Sequence, residues 1–119
     1  MMPDVTGVVP MQRMSVARGT VTLDAAPSES QLAAAAAAAN LAAKDAARIF
    51  PHLVPAQLTH LDCALDELGP KVTITMTVQG YARTSLASYA LAGCSAALVS
   101  LAGDAGRIVE VHVVQNVEG

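Results

Sequence analysis

From Lys71 to Gln79 the chain alternates without a break: Val72, Ile74, Met76 and Val78 fall on one side, Thr73, Thr75, Thr77 and Gln79 on the other. A period of two is the signature of a strand with one face in a core and one face outward. Three further segments show it more weakly. Met14 to Leu23 carries Val16, Val21 and Leu23. Leu58 to Leu65 sets Leu61, Cys63 and Leu65 against His60 and Asp62, and Arg107 to Val114 sets Val109, Val111 and Val113 against Glu110 and His112. Two stretches read as helices. Ser28-Glu29-Ser30-Gln31 has capping-box form, and strong helix formers follow to about Ile49, including the seven alanines Ala33 to Ala39. Pro51 and Pro55 then close that helix. The second helix is expected from about Ser85 to Leu101, with Gly103 and Gly106 as its stop and turn. Asp66-Glu67-Leu68-Gly69-Pro70 reads as a turn between the two middle strands.

The resulting order is β-α-β-β-α-β. Each strand has an apolar and a polar side, and two helices are available to cover the apolar one. That predicts an α+β, ferredoxin-like sandwich with two helices on one face of a four-stranded antiparallel sheet. At 119 residues the chain is one domain, 1–119, with 1–12 expected as an extended N-terminal arm.

Composition narrows the function classes. The net charge of -3 and the absence of a Lys/Arg cluster argue against a nucleic-acid partner. Cys63 and Cys94 lack metal-type spacing and lie in segments that read as buried, which points to small core thiols kept reduced in a cytoplasmic protein. The first 14 residues have no apolar stretch of signal-peptide type. Ser85 to Gly103 has no charged side chain over 19 residues, nominally a bilayer span. Its Ala, Ser and Gly content and lack of flanking anchors read better as a helix buried in protein, so no membrane partner is expected.

One passage carries a family likeness. Ala42-Ala43-Lys44-Asp45-Ala46 and Ile49-Phe50-Pro51-His52-Leu53-Val54-Pro55 resemble the A-A-K-R-T and I-P-L-C-H-P segments of cyclic pyranopterin monophosphate synthase, the MoaC-type enzyme of molybdenum cofactor biosynthesis. Met2-Pro3-Asp4-Val5-Thr6 resembles that family's M-V-D-V-S opening, and Arg13 falls where the family has an arginine in its first strand. Arg83-Thr84-Ser85-Leu86-Ala87-Ser88-Tyr89-Ala90-Leu91 follows K-T-G-V-E-M-E-A-L, and Ile108 to Gly119 is similar in spacing to the family's last strand, its lysine matched by Asn116. Asp104 and Arg107 echo the family's D-x-x-K after a one-residue shift. The departures fall on the chemistry. Val54 occupies the histidine slot and Leu53 the cysteine before it, while Ala87 and Tyr89 replace both glutamates of E-M-E. Opening a purine-derived triphosphate and closing a cyclic phosphate need several proton transfers and a cationic cradle, which Lys44 and Arg13 alone supply poorly. The synthase reaction itself is therefore not expected.

What the resemblance implies for single residues can be set against plainer readings. Lys44, at the family's catalytic lysine position, would bind an anion or act as a base; a solvated helix-end lysine favoured by the helix dipole is the alternative. Tyr89 would polarise a substrate oxygen, or else pack one end of a helix with its hydroxyl in water. Arg13 or Arg107 would hold an anionic group, with Asp104, His52 and Ser88 around the same substrate. His60, Asp62, Glu110 and His112 are expected on the open sheet face as surface groups; their i, i+2 spacings are too common to specify a metal. No metal or cofactor is called for.

The leading expectation is a repurposed MoaC-like enzyme of lyase, isomerase or cyclase type acting on a small biosynthetic intermediate. A non-catalytic MoaC-like protein that binds a ligand or another protein is the rival, and a divergent synthase ranks third. The resemblance also implies a homo-oligomer, dimer-based and up to a hexamer, with its pocket where subunits meet.

Overall fold

A computed structural model describes residues 9–50, 52–103 and 106–118. Its elements run β1 (Met11–Thr22), α1 (Glu29–Ile49), β2 (Gln57–Leu68), β3 (Lys71–Ala82), α2 (Ala87–Ala102) and β4 (Arg107–Glu118). The four strands form one antiparallel sheet in the order β2-β3-β1-β4. This is the ferredoxin-like α+β arrangement that the alternation predicts.

Local chemistry sets the boundaries. Ser28 caps α1: its side chain accepts from the Gln31 amide at 3.2 Å while the Gln31 side chain accepts from the Ser28 amide at 2.8 Å. The expected capping box is thus complete. Gly103 ends α2 with φ +50 and donates its N–H to the Val99 carbonyl. The turn between β2 and β3 is shorter than its sequence reads. Asp66, Glu67 and Leu68 stay in β2 opposite Thr73, Val72 and Lys71, and Gly69-Pro70 alone makes the reversal. Gly69 supplies the positive φ, +61, that a two-residue hairpin needs at its first central position. β1 likewise starts at Met11, inside the segment read as an arm.

The core lies between one sheet face and the helices. Val72, Ile74, Met76 and Val78 of β3 are fully buried, beside Ala17 and Val21 of β1 and Ala90, Cys94, Ala97 and Leu98 of α2. From α1 the buried residues are Ala35, Ala39, Ala43 and Ala46. Alanines leave a low ridge, so the second helix comes close: a Cβ added at Gly93 would stand 3.0 Å from the Ala39 carbonyl oxygen. The alanine run is therefore a packing surface between helices.

Length mismatch opens one end of the sandwich. Twelve-residue strands extend about 40 Å, whereas the 16 residues of α2 cover about 24 Å. Beyond the start of α2 the helix-side positions of β1 and β4 turn polar, with Arg13 opposite Glu118 and Ser15 opposite Asn116. Among the described residues no helix is long and apolar enough to cross a membrane.

Candidate functional site

The segment that follows α1 is the organising feature. His52 and Leu53 face a cavity of about 430 Å³ between the C-terminal end of α1 and the first half of α2. Its walls are mainly apolar, from Ala42, Ile49, Phe50, Leu91 and Ala92, and its polar groups come from His52, Ser88 and Ser95. Ser88 and Ser95 lie seven residues apart, two turns of α2, so both project from one stripe of that helix. Val54 and Pro55 face the other way, into a second cavity of about 380 Å³ that Pro10, Gln57, Tyr81 and Arg83 also line. One strip of backbone thus forms a wall of both spaces.

Tyr89 pins that strip. It is 3 % exposed, and its hydroxyl donates to the Val54 carbonyl at 2.8 Å. Burial pushes the phenol above its usual pKa, with the backbone at Ala56 opposing the shift. Tyr89 was expected to polarise a substrate oxygen or to leave its hydroxyl in water. Instead the hydroxyl serves the segment that carries Val54.

Arg13 is also committed within the chain. At 9 % exposure its Nε donates to the Ala82 carbonyl at 3.1 Å, Nη2 to the Arg83 carbonyl at 3.2 Å, and Nη1 to the Glu118 carboxylate at 2.8 Å. A guanidinium left at the uncovered end of the sheet takes these acceptors because a buried charge needs partners. Beside it, the Ser15 and Ser85 hydroxyls both donate to Asn116 Oδ1, at 2.5 and 2.9 Å. Ser85 Oγ also accepts from the amide of Ala87, the first residue of α2, at 3.0 Å. Arg13 thus ties the ends of β1, β3 and β4 together, where an anion-binding group was expected.

The other expected residues are dispersed. Lys44 is exposed on α1 and lines neither cavity. Arg107 is exposed at the start of β4, opposite Thr22. Asp104 lies outside the described residues. Of the expected residues that are described, only His52 and Ser88 come together. On the open face, His60 lies on β2 in register with Gln79, and His112 on β4 in register with Arg18. These strands are opposite edges of the sheet, so the two imidazoles form no dyad. No group of three or more His, Cys, Asp or Glu placed to hold a metal occurs among the described residues. Burial raises both thiols from 9.0 to about 11, with the Asp62 carboxylate adding to the shift at Cys63 and Cys63 adding to it at Cys94.

Two features escaped the sequence reading: Ser95 as a third polar group in the first cavity, and Ser15 as a fully buried hydroxyl. The i, i+7 relation of Ser88 and Ser95 was a visible signal for the first. The second had none, because Asn116 is far away in sequence. No family model matches the chain, and no curated protein matches it.

Proposed function

We propose that this chain is a MoaC-like protein that works by binding a small, largely apolar molecule in the cavity between the ends of its helices. The observation that carries the reading is the distribution of polar groups. His52, Ser88 and Ser95 share an apolar space of about 430 Å³, within the size range of small-molecule sites, while Arg13 and Tyr89 spend their donors on the backbone and on Glu118 and Lys44 stands apart. A ligand suited to such walls has a flat or branched apolar body and one carbonyl or hydroxyl to meet the imidazole and serines. The pyranopterin synthase reaction does not fit, since its triphosphate substrate needs cations that these walls lack.

A second reading is favoured by the same cavity. An imidazole lining the same open, apolar space as two hydroxyls is a set that can move protons, and lyase or isomerase chemistry on a small carbonyl compound would use it. The two readings separate in one experiment. Small apolar carbonyl compounds are titrated into the protein while the amide resonances of His52, Ser88 and Leu91 are followed, and each mixture is then assayed for product. Binding without conversion, weakened about tenfold in His52→Ala and unchanged in Lys44→Ala, supports the binding protein. Conversion that His52→Ala abolishes while affinity survives supports the enzyme. Loss of binding in Lys44→Ala, or no resonance shift with any compound, overturns both.

A further inference from the structure

The second cavity, of about 380 Å³, has no part in the function proposed above, yet the buried donors of the chain converge on its walls. Among the described residues, three hydrogen bonds run from a buried nitrogen or hydroxyl side chain to a distant backbone carbonyl. All three end on residues that line this space: Tyr89 on Val54 at 2.8 Å, and Arg13 on Ala82 at 3.1 Å and on Arg83 at 3.2 Å. Arg13 is in turn fixed by Glu118. A desolvated phenol and a desolvated guanidinium thus hold the 52–55 strip and the end of β3 on two sides of the cavity. The start of β2 closes a third side. Gln57 lies in register with Tyr81, so both side chains leave the sheet on its open face, with Cβ atoms about 5 Å apart. Gly80 permits this approach, because a Cβ there would meet the Gln57 carbonyl oxygen and stand 2.9 Å from Leu58 Cα.

The groups on these walls are complementary to an anion. Arg83 is exposed, and its carbonyl is the part that Arg13 holds; no carboxylate among the described residues lies within ion-pair distance of its guanidinium. No Asp or Glu lines the cavity. Gln57 brings an amide, and Tyr81, 49 % exposed, brings a ring and a hydroxyl. Pro10, Val54 and Pro55 supply apolar wall, and the two proline rings add stiffness.

We infer that this cavity is a second ligand site, for a small monocarboxylate with a flat aromatic body. The carboxylate meets Arg83 and Gln57, and the ring lies against Tyr81 and the prolines. One cation with neutral donors matches a single negative charge, and a carboxylate accepts two N–H groups of the guanidinium fork at once. A phosphate is served better by several cations or by a helix start, and this cavity has one cation and no helix start on its walls. The volume lies within the range of small-molecule sites. The inference is independent of the helix-end cavity, which lies on the other side of the 52–55 strip.

Benzoate is the probe, with benzamide as its neutral counterpart. Each is titrated into the full chain while the amide resonances of Tyr81, Ala82 and Arg83 are followed, with Ser88 and Leu91 reporting on the helix-end cavity. Benzoate should move the first group and leave the second in place, and benzamide should bind about fivefold to tenfold more weakly. Arg83→Gln removes the charge at an exposed side chain and should weaken benzoate by about the same factor. Arg83→Lys keeps the charge without the fork and should fall between the two. His52→Ala should leave benzoate affinity unchanged. No shift with benzoate up to about 20 mM, an affinity too weak for a built site, overturns the inference. So do equal affinities for benzoate and benzamide, full affinity in Arg83→Gln, or shifts confined to Ser88 and Leu91. Inorganic phosphate that binds as tightly as benzoate at the same resonances also overturns it, since the site would then read charge alone.

Discussion

Replacing Tyr89 with phenylalanine tests how the segment between α1 and β2 is held. The ring stays, so no cavity opens in the core, and the only loss is the hydroxyl that donates to the Val54 carbonyl at 2.8 Å. Val54 is 9 % exposed, which leaves water little access to the released carbonyl. A net hydrogen bond is worth about 1 kcal/mol, and a buried acceptor left without a partner costs about 1–3 kcal/mol. About 2 kcal/mol of destabilisation is therefore expected, a fall in Tm of roughly 8 °C for a domain of this size. Urea unfolding followed by circular dichroism gives the first number, and a thermal scan the second. Proteolysis adds a local readout, because the 52–55 segment should be cut faster in Tyr89→Phe than in the parent. The same change should weaken ligand binding in the helix-end cavity by loosening the wall formed by His52 and Leu53. Unchanged stability and cleavage would refute the anchoring role. Unchanged stability with lost turnover would instead return Tyr89 to the acid-like role implied by the family resemblance.

Two other outcomes follow from the packing and from burial. Gly93→Ala forces a methyl to 3.0 Å from the Ala39 carbonyl oxygen and 3.1 Å from Met76 Cγ, so the helices must separate; a loss of about 1–3 kcal/mol in urea unfolding is expected, and a neutral result would show that the helix seam has slack. At alkaline pH the folded protein holds the protons of Cys63 and Cys94 longer than the unfolded chain does, because burial raises both from 9.0 to about 11. That contribution is complete below pH 9 and is lost as pH rises from 9 to 11. It amounts to about 2 kcal/mol for the fully buried Cys94 and less for the partly exposed Cys63. Stability measured across this window should fall less steeply in Cys63→Ala/Cys94→Ala, and identical slopes would contradict the assignment.

Much of the scaffold is legible in the chain because its signals are local. Alternation over Lys71–Gln79, the Ser28/Gln31 box and the glycine at 103 each act within a few residues, and all three stand as read. Boundaries drifted where a local rule met a longer-range pairing. Asp66–Leu68 looks like turn sequence, but opposite β3 its backbone gains ladder hydrogen bonds that outweigh propensity. Site residues were harder to place, because a side chain's role depends on acceptors far along the sequence. Arg13 meets Glu118 across 105 positions, and Tyr89 meets Val54 across 35.

The order of elements, the sandwich class and the helix ends were determined by the sequence alone, since periodicity and capping are properties of neighbouring residues. Only the tertiary structure decided that the guanidinium and the phenol are turned inward to hold strand ends and a loop, that Lys44 stands outside, and that His52 joins Ser88 and Ser95. The physical reason is desolvation: a buried polar group must find a partner wherever the fold brings one, and which groups become buried is known only once the layers have packed.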